Sequence, residues 1–385
     1  MYDTGTTKVK KGSAMMKKII VFGQGRTLRA ISLVLMVALL VVTTGCSTNQ
    51  AKEPPENVVE PHIIVDMGGT KVELPDQINR VVCIQPTLTE YMIAFGVGDK
   101  LVGTHKNALN KVWLQKVYPE ISSLKAYSYS ASAEDVLASE VDLVIVPNNE
   151  AAEQLRAAGI PTVVIMLNDP DSEYQHIKML GEIFGQEVTD RINTWIDEVE
   201  NVKDEINAVL DEANITEGPN VYAVNGQSDN GIFYPQGGGG SALETYLNGI
   251  RATFALKDFP ANGNMPTEEE ILATDPEVIL IGGKYGVPLK EAVLQDSVWA
   301  DISAIKNERV YNVPIGGIGW DQGYIALPVE LKFWANIFYP DVFQYDLTAD
   351  IIEFYQEYFG VTLTSEDIAY MINGLTPEGT PAWED

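Results

Sequence analysis

Fifteen residues, SAEDVLASEVDLVIV at 132–146, return 135 positions later as TEEEILATDPEVILI at 267–281, and the two align without a gap. Three positions are identical: Glu134/Glu269, Leu137/Leu272 and Ala138/Ala273. Only Ala133/Glu268 and Val141/Pro276 differ in kind. In each copy a hydroxyl residue, Ser132 or Thr267, stands three positions before Asp135 or Glu270, which is the capping-box spacing of a helix start. The short helix so begun carries Val136 and Leu137, or Ile271 and Leu272, on one side. It gives way to an acidic residue and then to the runs 143–146 and 278–281, apolar without alternation. Such a run suits a strand covered on both faces, as in a parallel sheet. Two copies this far apart exclude a solenoid, whose repeats recur every few tens of residues. The expectation is two similar α/β lobes.

At 385 residues the chain can hold two domains of ordinary size. Residues 1–29 carry seven Lys or Arg and one Asp, and residues 30–42 (AISLVLMVALLVV) follow as an apolar run of thirteen. That is too short to span a membrane and has the layout of a signal-peptide core. TTGCSTNQ comes next and resembles a bacterial lipobox, with Gly45 before Cys46 and Thr43 where Leu is usual. The expectation is a signal peptide over 1–45, lipid attachment at Cys46 and a polar tether over 46–61. Cys83 is then the remaining cysteine, so a disulfide is not expected, and its RVVCI context makes it a buried strand residue. Without residues 1–45 there remain 19 Lys and Arg against 53 Asp and Glu, a net charge of −34. Such a surface repels nucleic acid and fits a solute-facing protein outside the cytoplasm.

Along the rest of the chain, HIIVDMGGTKVELP at 62–75 predicts a hairpin turning at Gly68 and Gly69. Residues 80–103 predict strand, loop, helix and strand. Residues 105–130 read as irregular, and 162–166 as a strand that completes an alternating β-α-β lobe over 62–170. From 171 to 213 there is no Pro and no strand signal, and apolar residues fall at helical spacing through Ile192, Trp195, Ile196 and Val199. One long helix is expected there, with a break near Gly185. A second lobe over 214–345 opens with a strand at 221–224. Helical patterns at 324–345 and 350–373 close the chain, and 346–385 is expected to be a C-terminal helical segment and tail.

The order hairpin, RVVxxxPxxTE, first repeat copy, long helix, second repeat copy, RVYNVP and terminal helices resembles the substrate-binding lipoproteins of ABC importers for iron-siderophores, haem and cobalamin. The resemblance covers residues 62–373. It implies two Rossmann-like lobes joined by a single long α-helix, a ligand cleft between the lobes, and no resident cofactor. It further implies a monomer that delivers an iron chelate, haem or a corrinoid to an ABC permease dimer with its ATPase, anchored outside the cytoplasm by its lipid. In that family one exposed Glu on each lobe pairs with permease arginines, and Glu134 and Glu269 match those positions. The other reading of these two acids is that they suit the positive end of a helix.

Ligands of such proteins bind beyond the carboxyl ends of the strands. Here those ends offer Pro86, Thr87, His105, Lys106, Tyr127, Tyr129, Asn148, Asn225, Lys284, Tyr285 and Trp320. Tyr127, Tyr129, Tyr285 and Trp320 are expected as contact faces for a bulky planar or hydroxyl-rich chelate. Bare Zn²⁺ or Mn²⁺ would want several imidazoles and carboxylates, and the chain has only His62, His105 and His176. Of these His105 alone falls in a cleft loop, as an axial ligand or as a solvated loop residue. Lys106 and Lys284 are the cations available to an anionic siderophore, a thin basic lining that leaves neutral hydroxamates and corrinoids open. GGGGSALE at 237–244 lacks the GK[ST] of a phosphate-binding loop, and no GxSxG, HExxH or CxxC occurs, so an enzyme is not expected. The rival reading is a surface or sensory lipoprotein that binds another small molecule or a glycan without transport.

Overall fold

The two copies of the repeat occupy the same place in two separate parallel sheets. The computed structural model describes residues 61–166, 173–259, 266–282, 286–317, 320 and 324–381. In the first lobe the hairpin β1 (Ile63–Val65) and β2 (Lys71–Glu73) precedes β3 (Val81–Cys83), α1 (Pro86–Ala94), β4 (Leu101–His105), α2 (Lys106–Leu109) and α3 (Val112–Val117). There follow β5 (Lys125–Tyr127), α4 (Ala133–Leu137), β6 (Leu143–Val146), α5 (Asn149–Ala157) and β7 (Thr162–Val164). The sheet order is β5-β4-β3-β6-β7, all parallel. The chain leaves the central β3 toward one edge, then returns to its other side with β6. That reversal opens a crevice at the carboxyl ends of β3 and β6.

After the connecting helices, the second lobe contains β8 (Asn220–Gln227), β9 (Phe233–Pro235), α8 (Ala242–Gly249), β10 (Thr253–Phe254), α9 (Glu268–Ala273) and β11 (Val278–Ile281). Then come α10 (Gly286–Gln295), α11 (Ser303–Lys306) and β12 (Val310–Asn312). Its order is β10-β8-β11-β12, parallel, with β9 turned back antiparallel on β8. Thus β6 and β11 each lie between the first strand of their sheet, β3 or β8, and its far edge strand. All four residues of each are buried. On β6, Leu143 and Ile145 enter one core while Val144 and Val146 enter another, which is why the run cannot alternate with polar residues.

The equivalence reaches single atoms. Ser132 Oγ accepts from the Asp135 N–H at 3.1 Å, and Thr267 with Glu270 forms a full reciprocal capping box. Glu140 and Asp275 both have left-handed backbone, φ 50° and 40°. Two residues on, the Asp142 carboxylate accepts the Asn79 and Arg80 N–H groups at 2.8 and 2.9 Å, and Glu277 accepts the Asn220 N–H at 2.9 Å. Each acid secures the approach to its own central strand, where backbone donors would otherwise lack a partner.

The hairpin closes the β7 edge. Asp66 in its turn, only 3 % exposed, accepts the Val164 N–H at 2.9 Å and pairs with Arg156, while the Met67 N–H donates to Val164 O. The open hydrogen-bonding edge of the sheet is covered in this way.

Between the lobes run α6 (Glu173–Phe184) and α7 (Gln186–Glu212), separated at Gly185, whose φ of 98° suits glycine. The segment 171–213, read from the sequence as one long helix, is therefore two. At Gly185 α6 folds back along α7, where Tyr174 donates to Glu200 at 2.9 Å and meets the Trp195 ring edge-on at 5.9 Å, and the long connecting helix is α7. α7 buries Val188, Ile192, Trp195, Val199, Val202, Ile206 and Leu210, a stripe at three- and four-residue spacing. At one end Tyr91, Phe95 and Tyr174 surround the Trp195 ring, and Arg191 donates to Ala94 O of the first lobe. At the other end Asn207 donates to Gly249 O of the second. The helix is packed against both lobes, which disfavours large hinge movements.

The chain ends in α12 (Leu327–Phe338), α13 (Leu347–Phe359) and α14 (Ser365–Ile372). The last two turn back on the first lobe. Lys116 pairs with Asp367 at 2.5 Å, and the Trp113 indole donates to Leu375 O at 2.9 Å. These contacts explain why residues 105–130 are not irregular, as their composition led us to expect. α2, α3, a 3₁₀ turn and β5 form there because partners some 250 residues away supply the cover that local periodicity does not show. Among the described residues no helix is long and apolar enough to cross a membrane. Cys46 and the proposed leader and tether lie outside the described residues.

Candidate ligand-binding site

The carboxyl ends of the first lobe's strands enclose a cavity of about 670 Å³. β3 contributes Ile84 to it, the end of β4 with α2 contributes His105 to Asn107, the loop after β5 contributes Ser128 to Ala131, and the start of α5 contributes Asn148, Glu150, Ala151 and Gln154. These are the strand ends flanking the crevice, as the topology requires. His105, Lys106, Tyr129 and Asn148 from the sequence reading are brought together here. Glu150, Ala151 and Gln154 were missed. The signal was available, since a helix that starts directly after a strand turns its first residues toward that strand's carboxyl end.

His105 is the most constrained group of the site. It is only 2 % exposed, and its ring stacks on Tyr129 at 4.1 Å between centroids and 27° between planes. Its Nδ1 accepts the Asn107 N–H at 3.2 Å as the N-cap of α2. Burial, and then the charge of Lys106, lower its pKa, which favours the neutral ring. Tyr129 remains 49 % exposed, and burial of its phenol raises its pKa. Asn148 caps α5 through Oδ1, which accepts the Ala151 N–H at 2.9 Å. With Oδ1 turned to the helix start, Asn148 has its amide N–H groups to offer. Ser128 and Ser130 hydroxyls lie 3.3 Å apart at the rim. Lys106 is the one cation of the lining and Glu150 its one carboxylate.

Several expected contact residues are placed elsewhere. Tyr127 is a correction: it is 4 % exposed, its hydroxyl bonds Ser139 Oγ at 2.6 Å, and its ring covers Gly103, where a Cβ would stand 2.4 Å from Cε2. It packs under α4 and offers no face to a ligand. Trp320 is likewise buried, at 0 % exposure, and belongs to the core. Asn225 lies within β8, not beyond its end. Pro86 and Thr87 form the first turn of α1, Thr87 9 % exposed, and are not part of the cavity lining. Lys284 and Tyr285 lie outside the described residues. Cys83 is buried, and desolvation pushes its thiol up to about 11. His62 stands beside the hairpin and His176 on α6, both away from the lining. Among the described residues no group of three or more His, Cys, Asp and Glu is gathered to hold a metal ion.

The acids of the two repeat helices separate by use. Asp135 accepts from Ser132, Glu270 completes its capping box, and Glu268 accepts the Trp299 indole N–H at 3.1 Å. Glu134 and Glu269 are exposed and have no hydrogen-bond or ion-pair partner among the described residues. Of the acids in these first turns, they are the two left free at equivalent positions.

A profile of the family described as "Periplasmic binding protein" matches residues 81–315, more than half of the chain. The chain is 26 % identical over 331 residues to the uncharacterized ABC transporter substrate-binding lipoprotein YvrC of Bacillus subtilis, covering 80 % of this chain and 96 % of that one. It is 23 % identical over 344 residues to the molybdate-binding protein MolA of Haemophilus influenzae, covering 80 % and 93 %. Among solved structures, a periplasmic solute binding protein from Veillonella parvula superposes with a TM-score of 0.68 at 23 % identity, covering 82 % of this chain and 98 % of that one. Two parallel-sheet lobes, the long helix between them, the cavity at the strand ends and the span of the family match agree: the chain belongs to the periplasmic binding protein family.

Proposed function

We propose that this protein is the extracytoplasmic solute-binding component of an ABC importer, anchored through Cys46, and that its solute is an iron chelate or related metal-organic complex such as a siderophore, haem or a corrinoid. The observation that carries this reading is the cavity of about 670 Å³, lined by the His105–Tyr129 stack, Lys106 and Asn148. A cavity of that size exceeds the needs of a single ion and falls in the range of small-molecule sites. The absence of a protein cluster of metal ligands among the described residues favours a metal that arrives already coordinated. Glu134 and Glu269, free and exposed on equivalent helices, are the docking groups for basic residues of the permease dimer.

A second reading is favoured by the Lys106 cation and the N–H and O–H donors of His105, Ser128, Ser130 and Asn148 in the lining. A bare metal oxyanion would be held by the same N–H and O–H groups, and MolA, a relative at 23 % identity, is named for molybdate. One titration series distinguishes them. Intrinsic fluorescence is followed while the protein is mixed with ferric hydroxamates, ferric catecholates, haem, cobamides and sodium molybdate. Submicromolar binding of a chelate, better than about −8 kcal/mol, with no response to molybdate is expected. Molybdate binding alone selects the oxyanion reading, and saturable binding of free Zn²⁺, a sugar or a peptide alone overturns both.

A further inference from the structure

We infer that His105 meets the ligand as a hydrogen-bond donor through Nε2–H, not as a metal ligand, and that the ligand therefore turns an anionic oxygen face, carboxylate, phenolate or metal-bound oxo, into the first lobe's cavity. The inference rests on the proposed reading of this cavity as the solute site. Nδ1 accepts the Asn107 N–H at 3.2 Å, and a neutral imidazole whose Nδ1 is an acceptor carries its proton on Nε2. Offering the Nε2 lone pair to a metal would require moving that proton to Nδ1, directly against the Asn107 N–H. Turning the ring by 180° would keep the Tyr129 stack but leave the Asn107 N–H without its acceptor.

Among the described residues Nε2 has no protein partner, and the residue lines the cavity. A donor of the cavity lining without a protein partner is available to an acceptor from outside. The neighbouring groups favour the same sign. Lys106 has no ion-pair partner among the described residues, and Asn148, its Oδ1 turned to the helix start, adds amide N–H groups. Glu150 is the one carboxylate of the lining. His105 is on this reading a specificity residue that selects for an acceptor oxygen.

The test has a part that needs no ligand. Long-range ¹H–¹⁵N correlation spectra of the full ¹⁵N-labelled protein at pH 7 contain three imidazoles, and His105 is assigned by its loss in His105→Gln. A protonated Nε2 with a bare Nδ1 is expected, whereas the Nδ1–H tautomer or a doubly protonated ring overturns the inference. The second part measures affinity for sodium molybdate, ferric enterobactin and haem. For each probe that binds, His105→Gln, which keeps an N–H donor, stays within about threefold of the parent while His105→Leu loses about tenfold or more. Equal loss in both variants, no loss in either, or an imidazole-ligated haem spectrum that vanishes in His105→Gln overturns it. If none of the probes binds, the solute reading fails for these classes while the tautomer spectrum still decides the role of His105.

Discussion

The two repeat copies share a skeleton and differ in what surrounds it. In both, a capped helix ends in a left-handed acid, a second acid holds the approach to the central strand, and a fully buried strand follows. In the first copy the Arg80 guanidinium donates to the carbonyls of Ser139 and Glu140 at the helix end. In the second, Asp275 accepts both the Ser303 N–H and hydroxyl at 2.8 Å, so the same corner is tied to α11. Beyond the strands the likeness continues, since β6 leads through Asn148 into α5 and the parallel β7, and β11 is followed by α10 and the parallel β12. The first strands of the two sheets differ, β3 leading into α1 whereas β8 folds back into the antiparallel β9. What repeats is therefore the scaffold, and the cavity described above is lined from the first lobe.

The largest test of this comparison concerns the free acids. Reversing the charge of both Glu134 and Glu269 is expected to reduce uptake by whole cells at least about tenfold through like-charge repulsion, with solute affinity of the purified protein unchanged. A parallel loss of affinity would show that the equivalent positions are not docking groups.

Next comes the place where the lobes meet. Glu90 on α1 is 3 % exposed and lies against Gly317 of the second lobe, and burial raises its pKa from 4.5 to about 7. The folded state thus binds the proton more tightly than the unfolded chain, so stability is expected to fall as pH rises from 4.5 through about 7. The decline attributable to this one group amounts to up to about 3 kcal/mol. Denaturant titrations at pH 5 and pH 8 on the parent and Glu90→Gln check it, because the variant should lose this slope.

A smaller contrast separates the strand-approach acids. Asp142→Ala removes two backbone acceptor contacts and Glu277→Ala one, so costs of about 2 and about 1 kcal/mol are expected at these exposed sites. Equal midpoint shifts in denaturation would mean that the copies are secured by something else. The smallest effect distinguishes the helix ends. Glu140→Gly relieves left-handed strain and should stabilise by about 0.5 kcal/mol. Asp275→Gly should destabilise instead, because the Ser303 contacts are lost with the side chain. Thermal melts of the two variants would then move in opposite directions.

Much of the fold was legible because its signals are local or repeated. The capping hydroxyls, the buried strand runs and the α7 stripe each declare themselves within a short window. The site was legible only in part. His105, Lys106, Tyr129 and Asn148 follow from strand ends, but Tyr127 needed knowledge of which face the last residue of a three-residue edge strand takes. Gly103, a strand glycine on the neighbouring β4, was the available hint that a large ring lies over it. Trp320 looked like a contact face for want of any local sign that the core would enclose it. The helices of 105–130 depend on Asp367 and Leu375, and no window along the sequence joins them.

That dependence bears on how the chain reaches its folded state. The first lobe carries a ledge, α3 with Trp113 and Lys116, whose partners are 262 and 251 residues away. Synthesis proceeds from the N-terminus, so this ledge waits for nearly the whole polypeptide before it can be covered. Closing such long loops is slow relative to local helix formation and leaves apolar surface open in the meantime. A chain cut short before α14 would lack the late partners, and its first lobe would expose Trp113 to proteases and to other unfinished chains. The cover over Trp113 and Lys116 is thus a late contact of folding, formed only after some 250 further residues have been made.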